Sequence, residues 1–117
     1  MFTKAGKTWT ENQNSCRDKG GDLISIETEK EWTFINNAIQ SLDFVGVSEW
    51  HIGLKNQGKT WLWVSGKPLT IAKWQPNEPS GNGNAIVISK SAKGLFGDVE
   101  DDSAKAYICE ISQCKTH

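Results

Sequence analysis

Two tryptophans one residue apart, then a third followed by an acidic X-Pro turn, constrain this chain more than any other feature. Thr60-Trp61-Leu62-Trp63-Val64 reads as a strand with both indoles on one face, since successive strand side chains point to opposite sides, and Ser65-Gly66 follow it. Trp74-Gln75-Pro76-Asn77-Glu78-Pro79-Ser80 comes next. Residues 66–84 hold all three prolines and three glycines among polar residues, which predicts a long irregular segment. Such segments are uncommon inside compact domains, and an ordered one usually carries function. Trp61, Trp63 and Trp74 are expected to serve the core rather than a ligand platform, because six tryptophans must supply the buried area that a hydrophobic content of 37% leaves short.

The flanking pattern divides into helices first and strands later. Thr10-Glu11-Asn12-Gln13 has the form of a capping box, predicting a helix to about Lys19 that Gly20-Gly21 stop in the left-handed conformation. Cys16 lies inside that helix. Leu23 to Ile26 is strand-like. Thr28-Glu29-Lys30-Glu31 is a second capping box, opening a helix whose apolar positions Trp32, Ile35, Ala38, Ile39 and Leu42 keep the helical period. Beyond it, Trp50–Leu54, Thr60–Val64, Ala85–Ser89, Leu95-Phe96 and Tyr107–Ile111 read as strands, with a turn at Asn56-Gln57-Gly58-Lys59. Helices segregated from strands predict an α+β domain.

The length of 117 residues fits one domain, spanning 1–117, able to bury about two-thirds of its unfolded surface. A net charge of −1 without a basic run argues against nucleic acid or an anionic membrane as partner. No apolar run approaches the ~20 residues that cross a bilayer, and Met1-Phe2-Thr3-Lys4 does not open a signal peptide. The expectation is a module cut from a longer protein, its signal removed if it is secreted. Three cysteines leave one over. From spacing alone their pairing stays open, and the odd thiol is either free or joined to something outside the chain.

Cys16, Trp50-His51-Ile52-Gly53-Leu54, the Trp61–Gly66 run, Trp74 four residues before Glu78-Pro79-Ser80, Asp98 and Tyr107-Ile108-Cys109-Glu110 follow in an order that resembles the C-type lectin-like domain, over about Thr8 to Glu110. The resemblance implies that fold in its short form, without the N-terminal hairpin. It also implies a disulfide between Cys16 and Cys109, with Cys114 outside the pair. The family's two inner cysteines fall on Ala85 and Asp101, so the long loop lacks its usual staple and should be more mobile. His51 stands where the core motif usually has an aromatic, a departure that the adjacent Trp50 offsets.

In that family a Glu-Pro-Asn-type loop, whose X-Pro bond is commonly cis, helps hold calcium, and vicinal sugar hydroxyls complete its shell of six to eight oxygens. Carried over, Glu78 and Asp98 match as metal ligands. Ser80 replaces the usual Asn, the next acid falls on Gly83 with Asn84 beside it, and the last Asn falls on Gly97. The expected ligand-binding set is therefore Glu78, Ser80, Asn82, Asn84 and Asp98, with calcium held weakly through Glu78 and Asp98. The other reading of Glu78-Pro79-Ser80-Gly81 is a polar turn. Glu100-Asp101-Asp102 reads as solvated loop or as a cation surface beside Asp98. Catalysis is not expected: His51 and His117 are the only histidines, and no nucleophile–base–orienter set or zinc spacing is recognisable. The resemblance points to an extracellular lectin-like module, secreted or part of a receptor ectodomain. Its partner is a carbohydrate bound through residual calcium, or a protein bound without calcium in recognition or cell adhesion, or the loop is inert in a structural adhesion module.

Overall fold

The structure is a computed structural model that describes residues 2–42, 44–57, 60–71, 73–81 and 83–111. Cys114, His117 and Asn82 lie outside the described residues, as do Gly58 and Lys59 of the expected turn. Helix α1 runs Trp9–Asp18 and α2 runs Glu29–Ser41. The strands are β1 Gly21–Leu23, β2 Glu49–Gln57, β3 Thr60–Trp63, β4 Ala85–Ser89, β5 Leu95–Val99, β6 Ala106–Tyr107 and β7 Cys109–Ile111.

Helix α2 starts as its sequence dictates: the Thr28 side chain accepts from the Glu31 amide, and the Glu31 side chain accepts from the Thr28 amide. Ile35 and Ile39 are buried, while Trp32 and Leu42 pack partly buried against the same core. Helix α1 starts two residues before the expected box. Its N-cap is Thr8, and Glu11 closes the reciprocal box instead of Gln13. Thr8-Trp9-Thr10-Glu11 has the same spacing but ends in a carboxylate, which also suits the positive end of the helix dipole. The earlier start puts Trp9, Asn12 and Cys16 on one buried face. Gly20, at φ 90°, ends the helix in the left-handed region as expected.

The larger sheet has the order β3-β2-β4-β5, with β6 pairing β2 in parallel. β1 and β7 form a separate antiparallel pair with Leu23 opposite Cys109. Two expectations are corrected here. The closing strand is not continuous, for Tyr107 pairs with His51 in one sheet while Cys109 pairs with Leu23 in the other. The 50–54 strand extends to Gln57, so Asn56 and Gln57 pair with Trp61 and Thr60 rather than forming a turn. Buried Ile26, Ile35, Ile39, Trp50, Ile52, Leu54, Trp63, Ile86, Ile88, Phe96 and Ile108 share the main core. Trp61 and Trp74 pack half-buried against it with ring centroids 5.2 Å apart, and Trp63 and Trp74 both meet Phe96 edge-on. All three tryptophans are thus structural.

Cys16 is disulfide-bonded to Cys109 across a separation of 93 residues, locking α1 onto β7. In the chain-entropy treatment a ring of that size contributes about 4–5 kcal/mol. Replacing Cys109 by Ala is expected to lower stability by about 2–5 kcal/mol. Denaturant melts of oxidised wild type against the variant measure it, and equal midpoints would contradict the assigned role.

Candidate functional site

Among its described residues the segment between β3 and β4 has no strand or helix of its own, yet it is tied at several points. Its first half docks near the start of α2: Lys73 pairs with Glu29 at 2.8 Å and lies over the Trp32 ring, while the Thr70 hydroxyl donates to the Glu27 carbonyl. Trp74 then bridges to Phe96, and the Gln75 amide donates to the Phe96 carbonyl. Pro76 and a left-handed Asn77 (φ 68°) form the centre of a turn closed by the Glu78 amide on the Gln75 carbonyl. That is the residue pattern of a type II turn. The Glu78–Pro79 bond that follows is cis.

This turn brings Glu78 against Asp98 of β5. Asp98 is 4% exposed and gathers the loop onto itself. Its Oδ1 accepts from the Ser80 amide at 3.1 Å and the Ser80 hydroxyl at 3.0 Å, and its Oδ2 accepts from the Gly81 amide at 2.8 Å. Glu78 Oε1 also accepts from the Ser80 amide, at 3.0 Å. Burial pushes the Asp98 carboxyl up, but its hydrogen bonds with Glu78, Ser80 and Gly81 outweigh this and hold it at about 2. Glu78 is pushed up from the usual range, first by its hydrogen bond to Asp98, then by desolvation and by the Asp98 charge.

The five sequence-derived candidates separate into two groups. Glu78, Ser80 and Asp98 converge. Asn84 faces elsewhere: its amide donates to Asp101 Oδ1 at 2.8 Å and its Nδ2 to Asp101 Oδ2 at 3.4 Å. Asn82 lies outside the described residues. Asp101, read from sequence only within the acidic run as solvated loop or cation surface, is instead a partner of the loop, and the signal was its standing at an inner cysteine position. It joins the loop to the β5–β6 connection by hydrogen bonds, where the family resemblance puts a covalent link. Glu100 and Asp102 are exposed.

These residues do not fit a full calcium shell. The Asp98 oxygens face three donors of the loop, and Ser80 turns its hydroxyl hydrogen toward the same carboxylate. At Gly83, where the family has an acid, an added Cβ would lie 2.0 Å from the Val99 carbonyl oxygen, so this backbone admits no side chain. Among the described residues no group of three or more His, Cys, Asp or Glu is placed to hold a metal ion.

The family's model for the lectin C-type domain matches residues 5–111. The chain belongs to the C-type lectin domain family. It is 29% identical to mouse CD209 antigen-like protein D over 99% of its length, and covers 50% of that protein. It is 32% identical to the mouse low affinity immunoglobulin epsilon Fc receptor over 97% of its length, covering 34% of that protein. The chain thus spans half or less of these two relatives. Human lithostathine superposes with a TM-score of 0.85 at 22% identity, over 96% of this chain and 89% of the other, a likeness of fold. This C-type lectin domain is a ligand-binding module and not an enzyme. Among the described residues no helix is long and apolar enough to cross a membrane.

Two substitutions test the geometry of the loop. Gly83→Asp, which restores the family's acid, is expected to cost about 1–3 kcal/mol through backbone overlap and to gain no calcium affinity. Asp101→Ala is expected to speed hydrogen exchange of the Asn84 amide about tenfold while leaving Val87 in β4 unchanged. Unchanged exchange at Asn84 would show that the Asp101 contact does not hold the loop.

Proposed function

We propose that this C-type lectin domain is an extracellular recognition module that engages a protein surface without bound calcium, as one part of a longer protein. The observation that carries this reading is the state of Asp98. The carboxylate that a calcium ion would need already accepts the Ser80 and Gly81 amides and the Ser80 hydroxyl. Binding calcium there would require breaking charge-assisted hydrogen bonds in a mostly buried position, and only Glu78 brings a second carboxylate. The mouse low affinity immunoglobulin epsilon Fc receptor, 32% identical to this chain, is by its name a receptor for a protein ligand. A net charge of −1 gives no support to a nucleic-acid partner.

A second reading has an observation of its own. Glu78 and Asp98 meet with Ser80 between them, as a carbohydrate site built on residual calcium would require. In that reading Asn82 or Asn84 adds neutral oxygens, and affinity stays weak because ligand charge and number set it. Calcium titration followed by amide NMR separates the two. Protein recognition without calcium predicts that Gln75, Glu78, Ser80, Gly81 and Asp98 keep their positions through about 10 mM calcium, and that ligand capture survives chelation. Shifts at Ser80, Gly81 and Asp98 with a dissociation constant of about 0.1–1 mM, lost in Glu78→Gln, would overturn the calcium-free reading and favour the sugar one.

A further inference from the structure

His51 occupies a core position in β2, is 0% exposed, and has no part in the loop site. Its Nδ1 lies 2.8 Å from Asn12 Nδ2 on α1. The orientation of that amide is fixed by its other end, because Asn12 Oδ1 accepts from the Lys7 amide at 2.8 Å. The NH2 group therefore faces the ring, and Nδ1 must be an acceptor. The same NH2 group also meets the carbonyls of Lys7 and Lys105, each at 3.0 Å. Asn12 thus joins three strips of chain: the N-terminal segment, β2 and the approach to β6. The Lys105 amide closes the arrangement on the Lys7 carbonyl at 3.1 Å.

We propose that the His51–Asn12 contact is an acid-released latch, which holds the N-terminal segment and the 104–107 strip against α1 while the imidazole is neutral and lets them part when it is protonated. Protonation puts a hydrogen on Nδ1 that points at the hydrogens of Asn12, so an acceptor–donor contact becomes donor against donor. Rotating the Asn12 amide to offer its oxygen would strand the Lys7 amide. Nε2 is buried without a partner among the described residues, so it offers the added charge no compensation.

The groups around the ring oppose the charge as well. From the strip before β6 comes Lys105, whose ammonium repels a protonated ring and is itself paired with Glu49 of β2 at 2.7 Å. In β6 the register neighbour is Tyr107, whose hydroxyl is bonded to Ser15 of α1. In β4 the neighbour is Val87. On α1 the nearby Glu11 carboxylate is turned to Thr8. From the N-terminal segment, the Asn12 contacts with Lys7 go to its backbone. Burial first, then Lys105, lower the His51 pKa from 6.5 to about 4. Because the folded value lies below the open one, the latch has its full strength above pH 6.5. It weakens as pH falls from 6.5 toward 4, where the open form binds a proton that the closed form refuses.

Hydrogen exchange of the Lys7 and Lys105 amides between pH 7.5 and 4.5, corrected for the intrinsic pH dependence of exchange, reads the latch directly. The opening constant is expected to rise up to about tenfold per pH unit below 6.5, ahead of the Val87 amide in β4. His51→Phe should abolish that rise, and the variant should fold, since the two hydrogens of Asn12 still have the Lys7 and Lys105 carbonyls. An unchanged acid response in His51→Phe, or opening at Lys7 and Lys105 no greater than at Val87, would overturn the proposal.

Discussion

The first and last described segments of the chain are held to its middle, and the rest of the fold depends on that closure. β2 carries β3 and β4 along its edges and receives β6 in parallel, while β7 pairs with β1 and is covalently joined to α1. Phe2 bridges to Ile108, and the Trp50 indole donates to the Thr3 carbonyl, so the N-terminal segment lies over the same junction. Contacts between residues a hundred apart cost loop entropy before they return anything. The cystine removes much of that cost from the unfolded chain, and the buried aromatic and branched side chains of the main core supply most of the remainder.

Much of this arrangement was legible because local and tertiary demands agree. Helix α2 satisfies propensity, capping and period at once, and its boundaries follow. The start of α1 was misplaced at Thr10, for Thr8 also has a partner three residues on, and burial of Trp9 with Asn12 and Cys16 selects it. The split of the last strand was not legible at all. Tyr107-Ile108-Cys109 is one apolar run in sequence, and nothing local says that β6 must serve β2 while β7 serves β1. Such a switch of sheets is set by which neighbours offer free backbone groups, a property of the assembled fold.

The loop site shows the same limit more sharply. That Glu78 and Asp98 come together could be expected from the resemblance. That Asp98 would be taken up by amides could not, because backbone donors are present in every sequence and leave no mark in it. Gly83 reads as one missing carboxylate when aligned with the family. In space it is a point where the loop backbone lies against the Val99 carbonyl, so the position excludes side chains altogether. His51 was taken as a mild departure from an aromatic, and only its zero exposure and its contact with Asn12 reveal a polar junction.

Losing the inner cysteine pair does not have to leave the long loop loose. A cystine between the positions of Ala85 and Asp101 would close a ring of about 16 residues, a contribution of about 3 kcal/mol in the chain-entropy treatment. In its place Asp98 and Asp101 accept from the backbone amides of Ser80, Gly81 and Asn84. Hydrogen bonds to charged acceptors contribute about 1.5–3 kcal/mol each when shielded, and less where, as at Asp101, the acceptor is exposed. The two arrangements are of the same order, but they differ in kind. A cystine constrains the unfolded chain and leaves nearby carboxylates free for a metal. Hydrogen bonds from the loop to Asp98 consume the carboxylate itself, so in this domain the groups that order the loop are the ones that calcium would have to displace.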